Sequence, residues 1–144
     1  MAGANILDHF KGDELATIQK ACPLKELAVE EFLCQFGEPA KEMFIIISGQ
    51  VEVLRPRRRQ GEFDKVGVLG AGEITGEAAL MGVFPRSASL RALEPVTIMV
   101  VTRERLAKLK KENPALLMEL YQGIFEQLGE RFLSLVEKKT PGLF

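Results

Sequence analysis

The sequence predicts a mainly β fold, a β-barrel of jelly-roll type, with short N-terminal helices and a long C-terminal helix flanking it. Three observations predict this. Between Leu24 and Thr102 the chain breaks into short apolar runs separated by Glu38-Pro39, Ser48-Gly49, Gly61-Glu62 and Gly70-Ala71-Gly72, the punctuation of many short strands. Within those runs apolar residues recur with a period of two: Val51 and Val53 alternate with Glu52, and Ala88, Leu90 and Ala92 with Ser87, Ser89 and Arg91. On either side the period becomes helical, through Leu15, Ile18 and Cys22 upstream and Leu117, Leu120, Ile124 and Leu128 downstream.

The elements follow in order. Residues 1–23 form a helical segment, with short helices over Asn5–Phe10 and Asp13–Ala21, the second started by Gly12 or Asp13 and stopped by Pro23. The β region covers residues 24–102. Residues 103–138 are helical: Thr102 caps a helix running through Leu106 and Leu109 to Glu112, Asn113-Pro114 interrupts it, and Pro114 opens the final helix to about Lys138. Residues 139–144 form a tail that frays after Thr140-Pro141-Gly142.

Composition narrows the function. The 144 residues are 47% hydrophobic, enough for one domain with a proper core. A net charge of −1 gives no ground for broad nucleic-acid binding. The single histidine, His9, cannot build the histidine-rich metal site of a metal-dependent barrel, so no metal is expected. No Ser-His or Cys-His pair and no carboxylate cluster points to catalysis, and the chain reads as a non-enzyme. Cys22 and Cys34 fall on apolar positions and are expected as buried free thiols of a reducing compartment, with one disulfide between them as the alternative. The charged N-terminus is no signal peptide, and the longest apolar runs are too short to cross a bilayer, so a cytoplasmic location is expected.

The chemistry concentrates in Gly76-Glu77-Ala78-Ala79-Leu80 and Pro85-Arg86-Ser87-Ala88. Glycine lets backbone N–H groups approach an anion, and arginine grips a phosphate through two parallel charge-assisted hydrogen bonds. An ionised carboxylate beside an anion site only accepts, so Glu77 calls for a ligand that also carries hydroxyl donors. Phosphate and sugar hydroxyl together describe a nucleotide.

These segments resemble the cyclic-nucleotide-binding domain family, to which the catabolite activators and the regulatory subunits of cyclic-nucleotide-dependent kinases belong. The family's phosphate-binding segment reads roughly F-G-E-x-A-L followed by P-R-x-A, and it corresponds here to residues 75–89. Phe36–Val53 resembles the family's E-G-D-P-A-x-x-M-Y-I-I-x-x-G-x-V-x-V strand pair, and Leu69-Gly70-Ala71-Gly72-Glu73 its L-G-x-G-D/E turn. The likeness runs from about Leu24 to Asn113. Two departures stand out: Thr75 replaces an aromatic residue before the Gly-Glu pair, and Glu30 stands where a glycine often opens the second strand.

The resemblance implies a ligand site made by Gly76, Glu77, Ala78, Ala79, Arg86, Ser87 and Ala88. Arg86 pairs with the cyclic phosphate, Glu77 accepts from the ribose 2′-hydroxyl, and the Ala79 N–H meets the phosphate. Ser87 bears on the base but is ambiguous by itself; since nothing else calls for guanine, cyclic AMP is expected, with cyclic GMP as the alternative, and Ser89, on the same strand face, is a further residue in reach of the pocket. Leu80 and Met81 pack against a lid formed by the final helix. On that helix Gln127, Arg131 and Phe132 fall where the base would be capped. Its wide apolar stripe either folds back on the barrel or also meets a second copy in a homodimer. Gly123 and Gly129 weaken it and mark either a close approach or a hinge. With no helix-turn-helix after this helix, the output is expected to run through a protein effector or dimerisation rather than DNA. A non-binding interaction domain with the same fold is the remaining alternative. The run Arg55-Pro56-Arg57-Arg58-Arg59 is expected in a solvated hairpin loop, with contact to an acidic partner or to lipid headgroups as the alternative.

Overall fold

Apolar residues on both faces of two strands fix how the layers stack. The computed structural model describes residues 4–59, 61–82 and 84–139, and the expected tail from Thr140 onward lies outside them. One four-stranded sheet has the order β1 (Leu24–Leu27), β10 (Val96–Val101), β4 (Met43–Ser48), β7 (Ile74–Thr75). The other has the order β2 (Phe32–Cys34), β9 (Ser89–Ala92), β5 (Val51–Pro56), β6 (Phe63–Leu69), and β3 (Pro39–Ala40) pairs with β8 (Phe84–Pro85) in a separate ribbon. The paired strands run antiparallel throughout.

The two sheets enclose one apolar layer, in which Phe44, Ile46, Ile98 and Val100 of the first meet Val51 and Ala92 of the second. The alternate residues of the same strands, Met43, Ile45, Met99 and Val101, face the other way, into a second layer completed by helices. Burial on both faces explains why these strands read as unbroken apolar runs, while the exposed β6 does not.

The helices end where their capping residues place them. The 3-10 turn Ile6–His9 is capped by Asn5, whose side chain accepts from the Leu7 N–H, and α1 spans Glu14–Ala21. Thr102 accepts from the Arg105 N–H to open α2 (Arg103–Glu112). Asn113 accepts from the Leu116 N–H as Pro114 starts α3 (Pro114–Lys139). Leu106, Leu109, Leu116, Leu117, Leu120 and Ile124 all pack against Ile45, Ile74 and Met99. Cys22 and Cys34 are buried free thiols, and burial pushes Cys22 up to about 11.

Three details differ from simple alternation. Glu52 is buried rather than exposed, because Arg91 and Lys65 both pair with it. Ser89 is buried because its Oγ accepts from the Phe36 N–H at 2.9 Å, so its hydroxyl is committed away from the ligand pocket expected for it. Glu30 takes φ +71°, the conformation that makes glycine usual there and that costs a side-chain-bearing residue on the order of 1 kcal/mol.

Gly123 and Gly129 play different parts. A Cβ on Gly123 would lie 2.6 Å from Cγ1 of the fully buried Ile6 and 3.1 Å from Cδ2 of His9, so this glycine seats the N-terminal turn on α3. Around Gly129 nothing lies within 4 Å. Gly129→Ala should therefore stabilise by about 1 kcal/mol through helix propensity. Gly123→Ala should destabilise, since overpacking of roughly 1–3 kcal/mol exceeds the same gain. Urea unfolding of the two variants measures the opposite signs.

Candidate functional site

The β3–β8 ribbon carries Arg86 into the protein. The Arg86 N–H donates to the Glu38 carbonyl at 2.7 Å, and its own carbonyl accepts from the Gly37 N–H at 2.9 Å, which fixes the backbone just past β8. The side chain then runs inward. Arg86 is 8% exposed; one guanidinium nitrogen donates to the Glu42 carbonyl at 2.9 Å, and the group lies over the Phe44 ring, 4.9 Å from its centroid. Among the described residues no carboxylate lies within 4.0 Å of it.

A buried cation without a counter-ion is costly, and those of its N–H groups that make no protein bond must reach solvent or a ligand. The space they border is a cavity of about 420 Å³ lined by Cys34, Ala40, Val53, Thr75, Gly76, Ala78, Phe84, Pro85, Arg86, Ser87, Ala88 and Leu90. That size is ordinary for a small-ligand site. Burial pushes the Cys34 thiol up, against the opposing pull of Arg86.

Gly76 adopts φ +77° and caps a 3-10 turn, Glu77–Leu80, and a Cβ there would stand 2.7 Å from Arg86 Nη1 and 3.1 Å from the Glu42 carbonyl oxygen. Only glycine allows both this conformation and this approach.

The structure therefore brings Gly76, Ala78, Arg86, Ser87 and Ala88 together. Glu77 and Ala79 do not line that cavity. Ala79 is buried and its N–H donates to the Gly76 carbonyl at 3.0 Å. Glu77 borders a separate groove of about 460 Å³ with Leu80, Met81, Leu117, Tyr121 and Phe125. Leu80 and Met81 accordingly face α2 and α3.

The three helix residues expected near the base lie away from this cavity as well. Gln127, 4% exposed, accepts from the Ile74 N–H at 2.7 Å and donates to the Gly72 and Ala4 carbonyls, both at 2.9 Å. Arg131 donates to the Ile74 carbonyl and to Gln127 Oε1, each at 2.7 Å, with Glu73 at 3.8 Å. Phe132 is exposed. Gln127 and Arg131 thus clasp the chain two to four residues before Gly76, the opposite end of that segment from Arg86. The roles of Glu42, Phe44 and Cys34 went unread in the sequence, although the alternation along β4 already separates Phe44 from Met43 and Ile45.

Residues 24–113 match the family model described as cyclic nucleotide-binding domain. The chain belongs to that family. Over 87 residues it is 33% identical to a cAMP-dependent protein kinase regulatory subunit of Mycosarcoma maydis, which covers 60% of this chain and 16% of that protein. Over 117 residues it is 26% identical to the lysophospholipase NTE1 of Candida albicans, covering 79% and 8%. The chain thus spans only a small part of the curated relatives it matches. Among solved structures, a cyclic nucleotide-binding domain from Methylobacillus flagellatus superposes with TM-score 0.77 at 24% identity, covering 97% of this chain and 83% of that one. The Thermus thermophilus catabolite activator protein superposes with TM-score 0.70 at 22% identity, covering 91% and 61%. These likenesses establish the jelly-roll fold. Among the described residues no helix is long and apolar enough to cross a membrane.

Gly76→Ala should cost about 1–2 kcal/mol from the left-handed backbone alone and should also push the guanidinium off the Glu42 carbonyl. Thermal unfolding of the variant, with no nucleotide present, should show the lowered transition.

Proposed function

We propose that this chain is a cytoplasmic, non-catalytic receptor for a cyclic nucleotide, cyclic AMP, and that α3 passes occupancy on to a partner. The observation that carries the reading is Arg86, a buried cation with no carboxylate partner, bordering a cavity of ligand size. A cyclic phosphate supplies the missing anion, and the guanidinium fork meets two of its oxygens. The small side chains of Ala78 and Ala88 leave room for it, and Ser87 adds a hydroxyl. For Glu77 to accept from a ribose hydroxyl, its side chain must turn from the α2–α3 groove toward the cavity. The 3-10 turn is then the element that moves on binding. Cyclic AMP rather than cyclic GMP is supported by the kinase regulatory relative, and Ser87 and Thr75 are the lining residues with a side-chain hydroxyl to offer guanine.

A second reading, a domain that keeps the fold without taking nucleotide, is favoured by Glu77 standing outside the cavity and by the engaged N–H of Ala79. Thermal shift with cyclic AMP and cyclic GMP decides between the two. At a hundredfold excess over the dissociation constant, bound ligand adds about 2.7 kcal/mol of stability. Arg86→Ala should weaken binding at least tenfold, through loss of a charged hydrogen-bond partner worth roughly 1.5–3 kcal/mol. Arg86→Lys, which keeps the charge and loses the fork, should fall between. Absence of any shift with either nucleotide supports the scaffold reading.

For the output, we place a second copy against α3. Beyond Ile124 the helix presents Phe125, Phe132 and Leu135, all more than half exposed, with Met118 about two turns before Phe125. An apolar strip of this kind on an exposed helix marks an interaction surface. Sedimentation velocity should return a dimer for the unaltered chain and a monomer for Phe125→Glu/Phe132→Glu.

A further inference from the structure

The β5–β6 hairpin extends past the sheet that carries it. The last partner of β5 on β9 is Leu54, opposite Ser89, while Arg55 and Pro56 pair only with Asp64 and Phe63 of β6. The ribbon beyond Leu54 is therefore two-stranded, and its described residues from Arg55 to Val66 are all exposed. Its charge is concentrated. Between positions 55 and 65 five cations stand against two carboxylates, a net of +3 in a chain whose net charge is −1, so the remaining residues carry −4.

Those cations are not equally engaged. Arg57 pairs with Asp64 and Glu62, and Lys65 reaches back to the buried Glu52. Arg55, Arg58 and Arg59 have no carboxylate within 4.0 Å among the described residues. Beside them the ribbon carries an apolar ring: Phe63 is 42% exposed, with one side toward Phe32, 6.5 Å between ring centroids.

We propose that this ribbon docks on the surface of an anionic phospholipid bilayer. A projecting two-sided ribbon offers no concavity to hold a peptide, but its tip meets a flat surface. Guanidinium groups pair with lipid phosphates and carboxylates, and a polybasic segment gains about fivefold in affinity per cation from a negatively charged leaflet. Phe63 enters the headgroup boundary, where its aromatic ring loses contact with water. A net charge of −4 on the rest of the chain favours an approach in which the ribbon faces the lipid. The inference is independent of the nucleotide reading.

Co-sedimentation of the full chain with phosphatidylcholine vesicles and with phosphatidylserine-rich vesicles tests it. The expected result is binding to the anionic vesicles alone, weakened by salt within the range that screens surface charge. Arg58→Glu/Arg59→Glu should lose at least tenfold with an unaltered melting temperature, and Phe63→Ser, which also gives up the ring contact with Phe32, should lose severalfold with every cation retained when assayed well below its own melting transition. Equal partition onto both kinds of vesicle, or unchanged binding by the charge-reversed variant, overturns the proposal. So does unchanged vesicle binding by Phe63→Ser combined with displacement by duplex DNA, which would assign the ribbon to nucleic acid.

Discussion

A guanidinium held in the interior with an unfilled electrostatic demand is the constraint around which this fold is arranged. Arg86 brings a guanidinium into a place nearly as buried as the aliphatic core, where among the described residues that group bonds one carbonyl and lies over the face of Phe44. Each neighbouring choice tolerates that arrangement. β4 supplies both partners, the Glu42 carbonyl just before it and Phe44 within it. Gly76 omits the side chain that would collide with the fork. The β3–β8 ribbon clamps the Arg86 backbone so that the side chain has one direction to take. A ring face attracts a cation by roughly 0.5–2 kcal/mol, far less than an ion pair in the same surroundings would supply. The site is stable enough to persist and is not electrostatically complete.

The second polar cluster lies at the other end of the same segment. Gln127 and Arg131 of α3 grip both the N–H and the carbonyl of Ile74, and Gln127 also takes the Gly72 carbonyl. An amide side chain this well satisfied inside a protein costs little to keep and much to pull away, since release would leave buried donors and acceptors bare. Ile74 stands two residues before Gly76, so α3 and the cavity beside Arg86 hold opposite ends of one short strand and turn.

Much of this architecture is legible in the residues. The caps at Thr102 and Pro114 are local, and so are the glycine turns. The unbroken runs in β4 and β10 announce strands covered on both sides. Arg86 and Gly76 are marked by motif, and their meeting follows from the family's spacing. What could not be read depends on contacts between distant parts of the chain. The side chain of Glu77 has two spaces open to it, and sequence says nothing about which it borders. Gln127 and Arg131 sit at positions whose partners are set by where α3 lands on the sheet, more than fifty residues away in the chain. Gly123 is similar: its spacing in the helix allows either a hinge or a seat, and only the position of Ile6 and His9 makes it a seat.

These facts bear on how occupancy of the cavity would reach α3. A ligand shifts a structure only by as much as it prefers one arrangement over another. In the arrangement described here the carboxylate of Glu77 borders the groove under α3, with Leu80 and Met81 beside it, and the turn's first helical bond runs from the Ala79 N–H to the Gly76 carbonyl. A phosphate that only neutralised Arg86 would leave all of that unchanged and would move nothing. A ligand that also drew Glu77 across would take a charged group away from the α2–α3 groove and bring the turn, with Leu80 and Met81, along with it. The apolar wall against Leu117, Tyr121 and Phe125 would then have to repack, at the point where α3 leaves the core. Under the proposed function, a sugar contact, more than a phosphate contact, would therefore be the one to carry a signal.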